Sequence, residues 1–179
     1  MSEPSVKREP LSQDRIVRAA LAIADAEGLD ALTMRRLALE LGAAPMAAYS
    51  HFRDKRELLT AVVGAVMAEV ELPEADGRWR KPIRRLAESF RRALLAHSAV
   101  MPAVHVYGAG GPVALTVIDR ARAIMRGAGF ADEQAVVAVD SVYAFTLGAA
   151  SLELAEDRFR RGLDRVLAGV AAAGRSPAT

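Results

Sequence analysis

The chain has 179 residues, with 24 Lys and Arg against 22 Asp and Glu and a formal net charge of +2. That length suits one compact domain or a small module on a larger body, and so small a charge does not by itself point to nucleic acid. There is no cysteine, which excludes disulfides and thiolate chemistry and suits a reducing compartment.

Residues 1–11 are polar and punctuated by proline, and are expected to form a flexible arm. Their opening, "MSEPSVKREP", lacks the apolar run of a signal peptide. Ser12 is a good N-cap with Asp14 in the first turn, and Ile16, Ala19, Ala20, Ile23 and Ala24 recur at helical spacing until Gly28. Thr33 can cap a short second helix with Leu37, Ala38 and Leu41 on one face, ended by Gly42. A third starts near Pro45, since proline suits the first turn. Asp54 followed by Glu57 is capping-box-like and launches "KRELLTAVVGAVMAEVEL". Leu72 to Gly77 reads as a linker. A helix then runs from about Trp79 to His97, with Pro82 tolerable only in its first turn. Residues 98–111 are read as broken by Pro102 and the Gly-Ala-Gly-Gly run. Pro112 restarts a helix that Gly127 and Gly129 end. Asp132 caps the longest helix, roughly 133–156, and the last runs from about Arg158 to Ala173. No strand pattern, no repeat of about 20 to 50 residues and no run of about 18 apolar residues is visible. The expectation is an all-α, soluble, cytoplasmic protein.

The two short helices joined by "LGAAP" have the spacing of a helix-turn-helix. In that motif the second helix enters the DNA major groove while the first crosses the backbone. From about Pro45 to His51 that second helix is roughly 10 Å long, close to the groove width of about 12 Å. Its small residues permit close approach to the bases. Tyr49, His51, Arg53 and Lys55 can donate to flanking phosphates, and the backbone N–H groups near Asp54 offer a further anion site. From Thr33 to Thr60 five basic residues face three acidic ones, a net of +2, which predicts moderate, salt-sensitive affinity that depends on dimerisation. Tyr49 can equally serve as core and His51 as a cap.

The stretch "LTMRRLALELGAAPMAAYSHFRDKRELL" resembles the DNA-binding module of the TetR family of bacterial transcriptional regulators, and "RIVRAALAIADAEGLDAL" resembles that family's first helix. More weakly, "WRKPIRRLAESFRRALLAH", "VYAFTLGAASLEL" and "FRRGLDRVLAGV" are similar to the regulatory domain of its tetracycline repressor subgroup. The resemblance implies that Thr33 caps its helix and touches a phosphate, that Arg35 reaches base edges, where arginine suits guanine, and that Tyr49, His51 and Lys55 meet phosphates. Pro45, Met46 and Ala47 match the base-facing turn; being apolar here, they point to thymine methyl groups. It implies four parts: an arm at 1–11, a DNA-binding domain at 12–58, a connecting helix and linker at 59–77, and a regulatory, ligand-binding and dimerisation domain at 78–179.

The last two helices carry wide apolar faces, including Val136, Val137, Val139, Phe145 and Leu152 on one and Phe159, Leu163, Val166, Leu167 and Val170 on the other. Val139, Phe145, Leu152, Phe159, Leu163, Val166 and Val170 are the expected homodimer contacts, and the resemblance implies that they meet in a four-helix interface. The bland alternative is that they complete one chain's own core. Ligand-binding candidates are Phe90, Leu94, His97, Met101, His105, Tyr107 and Tyr143. No P-loop, dinucleotide motif or clustered histidine pair supports catalysis. His105 is the nearest match, with a gap, to a histidine that helps hold a metal-bound drug in the tetracycline repressor. Glu153 sits one residue from an acidic position of that subgroup. The expectation is therefore no cofactor and no required metal. It is a near-palindromic double-stranded DNA operator, no membrane, and a mostly apolar inducer rather than tetracycline. A repressor is favoured; an activator of the same fold, or a helical adaptor without DNA binding, is the alternative.

Overall fold

Side-chain caps and left-handed turns set where the helices of this chain begin and end. The computed structural model describes residues 11–44, 50–108 and 111–174. Helix α1 spans Gln13–Glu27, with the Ser12 hydroxyl accepting from the Arg15 N–H at 3.3 Å and Gly28 ending it at φ 89°. After a 3₁₀ turn at Leu29–Ala31, α2 spans Met34–Leu41, capped by Thr33, whose hydroxyl accepts from the Arg36 N–H at 3.1 Å. Gly42, at φ 60°, donates to the Leu39 carbonyl, and Ala43 donates to that of Ala38. This is the paired-bond ending that requires a left-handed residue after the helix.

Of the third helix, expected from about Pro45 to His51, residues 45–49 lie outside the described residues, and Ser50 and His51 form a turn. Helix α3 spans Lys55–Ala68. Asp54 accepts from the Glu57 N–H at 2.8 Å, but the Glu57 carboxylate reaches back to the Arg53 N–H at 2.7 Å. The reciprocal bond of a capping box thus lands one residue early. Helix α3 is continuous across position 58, where the sequence reading placed a domain boundary.

Helix α4 spans Arg80–Ala96 and holds Pro82 in its first turn. Residues 98–111 are less broken than expected. A 3₁₀ turn at Ser98–Val100 leads directly into α5, Met101–Tyr107, with Pro102 in the first turn, where its missing N–H costs nothing. Helix α6 spans Pro112–Gly127 and α7 spans Asp132–Ser151. The longest helix therefore stops five residues before the expected 156, and α8 starts two residues early, at Glu156–Ala173. Glu153 makes that break at φ 48°. Its N–H donates to Ala150 and that of Leu154 to Ala149, the same ending that glycine makes at 42.

Two packed groups result. Helices α1 and α2 close on the start of α3 through Ile16, Ile23, Leu37, Leu41 and Leu58, all buried. Burial of each such side chain contributes about 1.5–3 kcal/mol. Helix α7 packs against α4, α6 and α8, and α3 touches both α1 and the α5–α6 pair. One helix thus serves both groups. The buried Arg91 of α4 ties the α7–α8 turn down: it donates to Glu156 at 2.7 Å and to the Leu154 carbonyl at 2.5 Å, and lies 4.8 Å from the Phe159 ring centre. Among the described residues there is no strand, and no single helix is long and apolar enough to cross a membrane.

Candidate nucleic-acid interface and ligand cavity

The two arginines at the start of α2 have different surroundings. Arg36 is held by Glu27 at 2.6 Å and by Glu40 at 2.9 Å. Its hydrogen bonds hold the Glu27 carboxyl below the usual range, and the same partners raise Arg36. Arg35 is exposed and has no ion pair among the described residues. Lys55, at the first position of α3, is likewise exposed and unpaired. Arg53 is half-engaged, its Nε 3.3 Å from Glu57. The phenyl ring of Phe52 is buried in the core, which turns its neighbours outward.

Two side chains of α1 hold the motif's backbone. Gln13 Nε2 donates to the His51 carbonyl at 3.1 Å, and Arg15 donates to the Leu41 carbonyl at 3.4 Å. Thr33, Arg35, His51 and Lys55 are thus exposed or half-exposed around the motif. Pro45, Met46, Ala47 and Tyr49 lie outside the described residues.

The second site is a cavity between α4, α6 and α7. Ile83, Leu86, Ala87 and Phe90 face it from α4; Ala114, Val117, Ile118 and Ala121 from α6; Val139, Val142, Tyr143 and Thr146 from α7. Met67 of α3 and Gly108 complete its wall. No charged side chain lines it. Thr146 spends its hydroxyl on the Val142 carbonyl at 2.7 Å. The Tyr143 hydroxyl has no hydrogen-bond partner among the described residues, and burial raises its pKa above the ordinary phenol value. The Phe90 and Tyr143 rings are near-parallel, with centres 5.4 Å apart. A Cβ at Gly108 would collide with the Val104 backbone carbonyl and stand 2.8 Å from the Tyr143 hydroxyl, so the close approach there excludes a side chain. The cavity is narrow, with about 40 Å³ free for the centre of a water-sized body. A drug-sized occupant has to push its walls apart.

Of the seven ligand candidates, the structure brings only Phe90 and Tyr143 to this cavity. Leu94 is buried elsewhere in the core, and Met101 and Tyr107 pack on the core's edge. His105 is exposed, its Nδ1 donating to the Met101 carbonyl at 2.9 Å and its Nε2 3.4 Å from Ser151. His97 points the other way, between Asp25 and Glu69. The sequence reading missed Ile83, Leu86, Val117, Ile118, Val142 and Thr146. A signal was present: each of the three helices contributes residues spaced i, i+3, i+4 and i+7, one face of a helix. Among the described residues no group of three or more His, Asp or Glu is placed to hold a metal ion.

The expected dimer contacts also divide. Phe159 and Leu163 are fully buried and Val139 nearly so within one chain. They differ from the expectation because α4, α7 and α8 already cover them, and a buried side chain has nothing left to bury. Phe145 stacks on Phe159 at 5.8 Å and, with Val166 and Val170, keeps part of its surface open. Leu152 and Val137 are exposed. A shallow groove between α7 and α8 runs past Val137, Val166 and Val170.

A three-helix head that leaves Arg35 and Lys55 exposed, set on a helical body that holds an apolar cavity, fits the class of DNA-binding transcriptional regulators. Residues 16–62 match the family described as bacterial regulatory proteins, tetR family, and residues 72–158 match the tetracyclin repressor-like C-terminal domain. The tetracycline repressor protein class A from transposon 1721 of Escherichia coli is 37% identical over 150 residues, 82% of this chain and 69% of that protein. Two solved structures are also similar. The Streptomyces coelicolor protein ActR in complex with actinorhodin superposes with a TM-score of 0.86 at 32% identity, covering 94% of this chain and 100% of that one. BioQ with its double-stranded DNA operator superposes with a TM-score of 0.80 at 33% identity, covering 91% and 99%. The chain belongs to the TetR family of bacterial regulatory proteins. Membership makes it a non-enzymatic DNA-binding regulator and sets aside the adaptor reading.

Proposed function

We propose that the protein is a cytoplasmic homodimeric repressor that leaves a near-palindromic operator when a mostly apolar small molecule opens the cavity. One observation carries the reading: α3 has the exposed Lys55 at its first position and Met67 in the cavity wall. The two are about 18 Å apart along one rigid element, so a ligand that displaces Met67 also moves the head. The ligand need only prefer the spacing that does not fit DNA, because differential affinity shifts the equilibrium.

In this reading Arg35 reads a base edge and Pro45, Met46 and Ala47 meet base methyl groups. Thr33, Tyr49, His51 and Lys55 hold phosphates. The ligand is neutral, lies along the Phe90–Tyr143 pair and accepts or donates one hydrogen bond at the Tyr143 hydroxyl, as a pocket with few polar groups permits. The position of His105 outside the cavity supports an inducer other than a metal-bound drug. Selection of bound genomic fragments, followed by a screen for compounds that release them, tests the proposal. A protein that enriches no sequence, or whose complex no apolar compound releases, would overturn it. Magnesium-dependent tetracycline binding abolished by His105→Ala would overturn the ligand assignment alone.

A further inference from the structure

His97 was expected among ligand contacts, but it forms the C-cap of α4, just past the cavity wall. Its Nδ1 lies 2.7 Å from Asp25 in the last turn of α1, and its Nε2 lies 3.0 Å from Glu69 at the end of α3. Both acceptors are carboxylates, so both ring nitrogens must donate, and only the imidazolium does that. The ring is mostly covered, with 15% of its side chain accessible. One side chain therefore bridges three elements: the helix carrying Phe90, the helix carrying Met67, and the first helix of the DNA-binding head.

We propose that His97 is a positioning residue for DNA binding, a charged joint that holds the head to the regulatory body in the operator-binding arrangement. Along α1, Asp25 lies about 18 Å from Gln13, which holds the His51 carbonyl at the end of the recognition segment. On the other side, Phe90 stands about 10 Å back along α4. Contiguous rigid elements thus connect the cavity to the DNA-facing segment through this joint, and α1 gains a hold that does not pass through α3. The charges acting on His97 are those of Asp25 and Glu69. Burial of the ring disfavours its charge, but these two carboxylates more than offset that, and its pKa is raised above the ordinary histidine value. A raised histidine stabilises the folded arrangement fully below the unfolded value near 6.5 and loses that contribution as pH rises through the folded value. The joint is therefore firm in mild acid and loosens as pH rises through the folded value.

The inference rests on the DNA-binding reading, so its test has one arm with DNA and one without. The probe is a duplex enriched from random-sequence DNA by the wild-type chain. At about pH 6, His97→Gln and Asp25→Asn should each weaken binding by about fivefold or more, with the double variant no weaker than the worse single one. The wild-type advantage should fade as pH rises above the unfolded histidine value and through the raised folded one. The decisive quantity is the part of the pH profile that His97→Gln removes. Without DNA, the melting temperatures of the same four proteins should show a coupling between Asp25 and His97 that vanishes over the same range. Glu69→Gln, at an exposed helix end, should lose part of both effects if either stronger variant fails to fold. Wild-type affinity and pH profile in His97→Gln, tighter binding by it, or strictly additive losses would overturn the proposal. If the wild-type chain enriches no sequence, the DNA-binding reading fails, and the DNA-free coupling alone decides whether the joint exists.

Discussion

Arg35 and Arg36 are adjacent and alike in the sequence, yet they should fail differently. Arg36 is occupied by Glu27 and Glu40; replacing it with alanine should lower the melting temperature and leave base preference unchanged. Arg35→Ala should cost about 1–3 kcal/mol of binding and relax preference at one operator position. Lys55→Ala should weaken all sequences alike and reduce the salt slope by about one unit. Competition binding against operator variants at several salt concentrations separates the three. Equal losses on every sequence for Arg35→Ala would remove it from the base-reading set. That Arg36 rather than Arg35 is tied down was not legible in the sequence, because Glu27 lies nine positions away, across the turn that joins α1 to α2. The caps were legible: Ser12, Thr33 and Asp54 each act over three residues, and local chemistry shows locally.

At the scale of elements, helix ends were read well where glycine made them. Gly42 and Gly129 hold positive φ at the ends of α2 and α6, and both stops were visible in the sequence. The α7–α8 break was misplaced because Glu153 fills the same role, and nothing in "SLELAED" announces a left-handed glutamate. A side chain there bears a conformational cost of about 1–2 kcal/mol that glycine avoids. Glu153→Gly should therefore stabilise the fold, by up to about 1 kcal/mol after glycine's own entropy loss. Urea denaturation checks the sign, and destabilisation would mean that the Glu153 side chain makes a compensating contact. Helix α5 was missed for the opposite reason. Pro102 was read as a breaker, but in a first turn proline has no hydrogen bond to lose. The cavity was half legible: the helical spacing of its lining was plain, but which face of α4, α6 and α7 turns inward depends on how the helices pack.

For the molecule as a whole, the placement of the apolar residues redirects the test of dimerisation. A charge at Leu163 would unfold the chain, since that side chain is fully buried within it. Val137 is 59% exposed on α7 beside the groove that runs to Val166 and Val170. Val137→Glu should give folded monomers, seen by sedimentation, that no longer bind DNA specifically. The wild-type dimer should place its recognition segments roughly 34–36 Å apart, or a multiple of that, on a near-palindrome. The narrowness of the cavity bears on which compounds the regulator answers to. If the resting walls leave almost no room, every inducer meets the same opening penalty before making any contact of its own, and its apparent affinity is reduced by the fraction of molecules already open. A substitution that props the walls apart, such as Ile118→Ala, should then sharpen the response to unrelated inducers by a common factor. Tyr143→Phe should instead reorder them, sparing those that never used the hydroxyl. Breadth of response would reside in the stiffness of the walls, and choice among inducers in one phenol.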